Sequence, residues 1–312
     1  MKEMNWAVKE QESTITLKEK YEVPFFTFEH LENSGIVVHG FSTRMGGVST
    51  GDCATMNLSF ERGDAEEAVR TNYELLGAAI GFQTDSLVFS KQTHTTNVRV
   101  VTDADRGKGF LRERDYTDVD GLVTNVPGLT LATFYADCVP LFFVDPVHKA
   151  IGLSHSGWKG TVGKIGKVTV EKMTEMYGTD PKDVLAAIGP SICQSCYEVS
   201  EDVIVQFQEA FEEKFWPELF YAKENGKYQL NLWRANELIF EEAGILKEHY
   251  STTNVCTCCN PGYLFSHRAS HGKRGNLGGI HRNGPQKRIQ LVRGCNDRLV
   301  GTRNHPRLWL PS

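Results

Sequence analysis

The stretch Leu129 to Gly160, LTLATFYADCVPLFFVDPVHKAIGLSHSGWKG, decides the fold. Residues 129–135, 141–144 and 150–153 are short, nearly continuous apolar runs. Such runs suit strands buried on both faces rather than half-exposed ones. The breaks between them are Asp137-Cys138-Val139-Pro140 and Asp145-Pro146, and Pro and Asp are typical strand breakers. Residues 160–177 then place Val162, Ile165, Val168, Thr169 and Met173 on one helical face.

Working outward, the same alternation continues. Residues 36–41 predict a strand. Asp64 predicts an N-cap, with Glu66 and Glu67 in the first turn, opening a helix that Gly81 closes. Residues 87–89, 97–101, 121–124 and 184–188 predict further strands. Residues 201–215 and 232–243 predict amphipathic helices. The class is α/β (α+β): a single compact layered domain with mixed β-sheets over residues 1–268.

The chain has 312 residues, 40% hydrophobic and 23% charged, which suits a globular protein. No apolar run has the length of a membrane span. Residues 1–22 lack the apolar core of a signal peptide, so a cytoplasmic location is expected. The eight cysteines are too few and scattered for a disulfide scaffold. From Ser266 onward there are ten Lys or Arg against Asp297 alone, a charge of +9, which leaves −14 of the overall −5 for residues 1–265. The basic end lacks interleaved aromatic residues, so a nucleic-acid arm is not the favoured reading.

Three strand ends carry metal-capable side chains: Gln92-Thr93-His94, Asp137-Cys138, and His155 ahead of Ser156-Gly157-Trp158-Lys159-Gly160. Functional groups gather at such ends in open sheets. His94, Cys138 and His155 would make a three-ligand zinc site with a fourth position open, the catalytic pattern. The same atoms also allow a metal-free Cys138 nucleophile with His155 or His94 as its base. Arg44, in the glycine-rich segment 41–49, and Lys159, at a helix start, offer cations for an anion. Cys193-Gln194-Ser195-Cys196 and the later Cys256, Cys258 and Cys259 could together make a structural zinc site or a redox pair, but free thiols are the favoured reading, with no histidine or further Cys-x-x-Cys seen to complete a ligand set.

Taken together, these segments resemble a known family. They are His39-Gly40-Phe41-Ser42-Thr43-Arg44 with Gly46-Gly47-Val48-Ser49, Met56-Asn57-Leu58, Gln92-Thr93-His94 and Val119-Asp120-Gly121-Leu122. They continue with Ala136-Asp137-Cys138-Val139-Pro140, His155-Ser156-Gly157-Trp158-Lys159-Gly160, Ala187-Ile188-Gly189-Pro190-Ser191-Ile192, Cys196-Tyr197-Glu198-Val199, Cys256-Thr257 and Phe265-Ser266-His267-Arg268. The family was first described as multicopper polyphenol oxidoreductases (laccase-like) and is now regarded as zinc-dependent purine nucleoside phosphorylases with adenosine deaminase activity. The resemblance implies zinc on His94, Cys138 and His155 and a fold related to cysteine hydrolases. It implies phosphorolysis of adenosine, inosine, guanosine and 5′-methylthioadenosine, and deamination of adenosine. Purine nucleosides and phosphate are the expected partners. Arg44 and Lys159 are candidates for phosphate, Asp137 for a proton carrier beside Cys138, and Asn57 and Gln92 for orienting ligand or substrate.

Residues 269–312 depart from the family's usual ending. They are basic, Gly-rich and without a clear period, and read as an atypical segment, a candidate frame-shifted end that lacks the closing strand. A substrate-binding arginine is expected to be missing with it, Arg274 being the one candidate replacement. Three other functions remain open. A His/Cys/His trio accepts copper, and affinity favours copper over zinc, so a copper-dependent polyphenol oxidase is one, although the chain has no paired His-x-His sets. A metal-free Cys138 hydrolase and a non-catalytic zinc-binding protein are the others.

Overall fold

The structure, a computed structural model, describes residues 14–284. Two six-stranded mixed sheets face each other. The first runs Ile15–Lys20, Val23–Phe28, Val37–Ser42, Leu277–Asn283, Thr130–Tyr135, Leu87–Phe89. The second runs Tyr250–Thr252, Leu185–Ile188, Val139–Asp145, Ala150–Ser156, Gly121–Thr124, Val98–Val100. Each is antiparallel except at its edges, where Leu87–Phe89 in the first, and Tyr250–Thr252 and Val98–Val100 in the second, pair in parallel. A small third sheet holds Glu198–Val199, Tyr228–Leu230 and Phe220–Ala222.

The decisive stretch reads as expected in its strands and unexpectedly in their partners. Thr130–Tyr135 belongs to the first sheet, whereas Val139–Asp145 and Ala150–Ser156 form a hairpin in the second. Residues 136–138 therefore carry the chain from one sheet to the other. The apolar run has no period because both faces of each strand are covered. Phe142 and Val144 point into the inter-sheet core with Phe28, Phe41 and Leu131, while Leu141 and Phe143 meet the helices on the far side. Those helices are Ile165–Tyr177 and Leu232–Glu242, and helix Glu66–Ile80 covers the outer face of the first sheet. The result is four layers, helix–sheet–sheet–helix.

Several elements differ from the sequence reading: Ile15–Lys20, Val23–Phe28, Glu198–Val199, Phe220–Ala222, Tyr228–Leu230 and Tyr250–Thr252 were not expected as strands, and boundaries shift elsewhere. Val139 and Pro140 lie in the strand, not in a break. Pro140 precedes the pairing with Leu185–Ile188, so its missing N–H costs no ladder bond on that side. The helix expected over 160–177 is two, Trp158–Val162 and Ile165–Tyr177, divided where Lys164 adopts φ 58°. The helix expected over 201–215 ends at Ala210, with a short 3₁₀ turn at Glu213–Phe215. Asp64 sits one residue before the cap. Its Oδ1 accepts the Ala65 N–H at 2.9 Å and its Oδ2 accepts the Asn57 amide at 2.9 Å.

The expectation of a missing closing strand is overturned for residues 277–283. Leu277–Asn283 lies between Val37–Ser42 and Thr130–Tyr135 and pairs with both. Leu277 and Ile280 are fully buried there. His281 is also fully buried: its Nε2 bonds the Phe143 carbonyl at 3.0 Å, its Nδ1 has no partner, and burial holds the ring neutral with a pKa of about 4. Residues 285–312, the rest of the atypical segment, lie outside the described residues. No helix among the described residues is long and apolar enough to cross a membrane.

Candidate metal centre

His94, Cys138 and His155 converge. Their ligand atoms all lie within 4.8 Å of one another. Cys138 Sγ is 4.0 Å from His94 Nε2, and the two imidazole rings are 5.0 Å apart in a T-shaped arrangement. Each is placed by a different piece of the fold. His155 is held inside strand Ala150–Ser156, two residues beyond where sequence ended that strand, and is 4% exposed. Cys138 ends the crossing between the sheets, straight after Asp137 at φ 90°. His94 adopts φ 67° in the loop after Leu87–Phe89, a region β-substituted residues rarely occupy.

Asp120 holds this arrangement, and sequence reasoning gave it no role. It is fully buried. Its Oδ1 accepts from His155 Nδ1–H at 2.9 Å and from the His94 N–H at 3.1 Å. Its Oδ2 accepts from the N–H groups of Thr93 and Thr95, each at 3.0 Å, and from the Thr95 hydroxyl at 3.1 Å. The bond to Nδ1 fixes the His155 tautomer and leaves Nε2 free to act as a ligand. Burial alone would raise the Asp120 carboxyl, but His155 and the loop amides hold it below the usual carboxylate range. A carboxylate opening the apolar strand Gly121–Thr124 must find such partners, and that was the available signal.

The electrostatics favour a cation. Burial pushes the Cys138 thiol up, but His155 and His94 outweigh it and bring it down to about 6. Burial pulls His155 down, but Cys138 and Asp120 raise it to about 9. Without a metal the trio is thus a thiolate beside a protonated His155 with a buried carboxylate behind it, and a metal cation would take the place of the proton on His155 Nε2. That donor set fits a zinc-type ion, for which N and S ligands at about 2.0–2.3 Å are usual.

Gly157 is the fourth wall. A Cβ there would come within 2.8 Å of His94 Cδ2 and 3.3 Å of Cys138 Sγ. We expect Gly157→Ala to weaken zinc binding at the Cys138-dependent site by about 10–100-fold, with the fold retained. Chelator competition and circular dichroism would check this. Unchanged affinity would contradict the packing argument.

The trio opens on a cavity of about 770 Å³ including its mouth. Phe60, Phe89 and Phe134 give it aromatic walls, and Arg62, Lys91, Arg114 and Arg274 give it charge, with Glu61 beside them. Glu61 pairs with both Lys91 and Arg114. Arg274 differs: its hydrogen bonds go to the Asn276 side chain and the Gly275 carbonyl, and its buried Nε has no partner. Burial pulls this guanidinium down to about 10, which still leaves it charged at neutral pH.

Of the other residues expected at the site, Arg44, Lys159, Asp137 and Asn57 do not line the cavity. Arg44 donates from Nε and Nη2 to the Ala54 carbonyl (3.0 and 2.8 Å) and from Nη1 to the Pro261 carbonyl (2.9 Å), with Phe265 beneath it. Its guanidinium ties loops together. Lys159 is exposed and lies over the Trp158 ring. Asp137 accepts the Thr257 hydroxyl at 2.6 Å and the Arg268 N–H at 2.7 Å, so both oxygens bind loop backbone or side chain. Asn57 is buried and accepts the Asn276 N–H at 2.9 Å, which anchors the Arg274 loop. Gln92 does line the cavity, but its amide spans the Phe134 backbone in both directions.

Comparison with known proteins places this geometry. Residues 38–281 match the family model described as multi-copper polyphenol oxidoreductase laccase. A purine nucleoside phosphorylase of Bacillus subtilis, YlmD, is 38% identical over 252 residues, 79% of this chain and 88% of that protein. A purine nucleoside phosphorylase of Deinococcus radiodurans is 38% identical over 241 residues, 77% and 87% of the two chains. The crystal structure of YlmD from Geobacillus stearothermophilus superposes with a TM-score of 0.80 at 30% identity, covering 88% of this chain and all of that one.

Proposed function

The chain belongs to the multi-copper polyphenol oxidoreductase laccase family, and from that premise we propose that it is a zinc-dependent purine nucleoside phosphorylase that also deaminates adenosine. The observation that carries this reading is a His/Cys/His trio facing a cavity that also holds aromatic walls and an uncompensated arginine. Its relatives of 38% identity are named purine nucleoside phosphorylases.

His94, Cys138 and His155 would hold the metal. When bound there, zinc supplies a Lewis acid that acidifies water toward neutral pH, the chemistry deamination needs. Asp120 keeps the His155 proton on Nδ1, away from the cavity. Phe60 and Phe134 line the cavity and would pack against a flat purine. Arg274, with Arg62 at the mouth, would take the phosphate. An arginine with an unused buried donor is matched to an oxyanion, and the pair would hold phosphate against the ribose as its C1′–N bond breaks. Adenosine, inosine, guanosine and 5′-methylthioadenosine share the purine and ribose these groups address. A multicopper oxidase reading is disfavoured because, among the described residues, only one metal-capable group contains histidine.

The test is product analysis with adenosine, with and without phosphate. Free base and ribose 1-phosphate should appear only with phosphate, and inosine should appear in both arms. Base release that ignores phosphate would overturn phosphorolysis. Arg274→Gln should raise the phosphate KM by about 10–100-fold, the worth of one charged hydrogen bond, while leaving zinc content and deamination intact. An unchanged KM would remove Arg274 from phosphate binding.

A further inference from the structure

A second group of metal-capable side chains stands apart from the cavity. Cys193, Cys196, Cys256 and Cys259 place all four sulfurs within 4.8 Å of one another. This convergence puts a structural zinc site ahead of the free-thiol reading that the spacing alone favoured. The sequence held the signal: Cys256-Thr257-Cys258-Cys259 is itself a Cys-x-x-Cys, the partner of Cys193-Gln194-Ser195-Cys196. We propose that these four cysteines bind a single structural zinc ion, separate from the one at the cavity.

Geometry supports one ion rather than a larger cluster. Zinc–sulfur bonds of about 2.3 Å in a tetrahedron put sulfurs about 3.8 Å apart. Here Cys196 Sγ is 3.5 Å and Cys193 Sγ 4.0 Å from Cys259 Sγ. The backbone supports thiolates: the N–H groups of Cys193 and Cys259 both donate to Cys256 Sγ, at 3.2 and 3.4 Å. Cys193 and Cys256 are buried, while Cys196 and Cys259 are half-buried. Arg268 reaches the Cys196 carbonyl at 3.2 Å, placing a cation beside what would be a doubly negative centre. Four protein sulfurs leave no open position, which is the structural pattern and not the catalytic one.

The surroundings show what the ion would do. The two Cys-x-x-Cys segments lie in loops joined by an isolated bridge between Ser191 and Cys256. Those loops hold Asp137: the Ile192 N–H donates to its carbonyl, and Thr257 and the Arg268 N–H occupy its carboxylate. Asp137 immediately precedes Cys138. A zinc joining the loops would brace the crossing from which Cys138 reaches the cavity. Cys258, next to Cys259 and two residues from Cys256, lies outside the four and serves as an internal control.

Metal analysis of the full chain purified under reducing conditions tests this. Wild type should carry two zinc ions. Cys138→Ala should keep one, and so should Cys196→Ser/Cys259→Ser, with a lower Tm. Cys258→Ser should keep two. Should the double variant not fold, cobalt added to metal-stripped Cys138→Ala gives an independent readout, since a tetrahedral tetrathiolate site produces intense sulfur-to-cobalt bands. The proposal is overturned by a single zinc in wild type that vanishes in Cys138→Ala, by iron in place of zinc, or by a Cys196–Cys259 disulfide in the native protein. None of these outcomes depends on phosphorolysis.

Discussion

Cys138→Ala should abolish zinc binding at the cavity and lower phosphorolysis and deamination by more than about a thousandfold, as loss of several kcal/mol of Lewis-acid stabilisation requires. Cys138 supplies the one sulfur of the trio, and its thiol is already brought down to about 6 by the histidines around it. Without it, two imidazoles remain, one of them exposed in a loop at positive φ. The fold should survive, since Cys138 is half-buried and packs only at the margin of the inter-sheet core. Metal content, steady-state assays with adenosine and phosphate, and thermal melting would check the three statements. A metal-free thiol hydrolase also loses activity in this variant, but it would keep its activity in chelator-treated wild type, where zinc-dependent phosphorolysis disappears.

Asp120→Asn should be nearly as damaging, by a different route. The carboxylate accepts from five donors, two on Oδ1 and three on Oδ2. An asparagine amide turned either way sets its own N–H groups against at least two of them. Buried donors left unsatisfied cost about 1–3 kcal/mol each, so a loss of at least about 2 kcal/mol is expected. In a chain of this size that lowers Tm by at least about 3 °C. The His94 loop and the His155 ring lose their shared anchor, so affinity for zinc should fall by about 10–100-fold. Thermal melting and zinc competition measure both. A variant with native Tm and native zinc affinity would show that Asp120 is not what positions the trio.

The central strands of this fold were legible because they are buried on both faces and read as plain apolar runs, whereas Ile15–Lys20, Val23–Phe28, the small third sheet, Tyr250–Thr252 and Leu277–Asn283 were not read as strands. What such a run does not encode is its neighbour. Nothing in residues 129–153 says that Tyr135 ends in one sheet and Val139 begins in the other, because that follows from what packs on each face. His94, Cys138 and His155 were legible because polar, metal-capable residues at the ends of apolar strands stand out. Arg274, which we propose takes phosphate, was set aside because its segment departs from the family's usual ending, yet the chain from Gly275 folds into the sheet by way of Asn57 and the strand Leu277–Asn283. Arg44 and Lys159 misled for the opposite reason. Cations in Gly-rich turns look available in a sequence, and only the structure shows Arg44 occupied by the carbonyls of Ala54 and Pro261.

The central claim is that phosphorolysis runs through a metal held by His94, Cys138 and His155. Zinc titration into metal-stripped wild type, with ribose 1-phosphate formation followed at saturating phosphate and adenosine, tests it most directly. The account predicts no turnover in the stripped protein and recovery to a plateau as zinc is added, with no recovery in Cys138→Ala at any zinc concentration. Full turnover in the stripped protein, or recovery in Cys138→Ala equal to wild type, would contradict it.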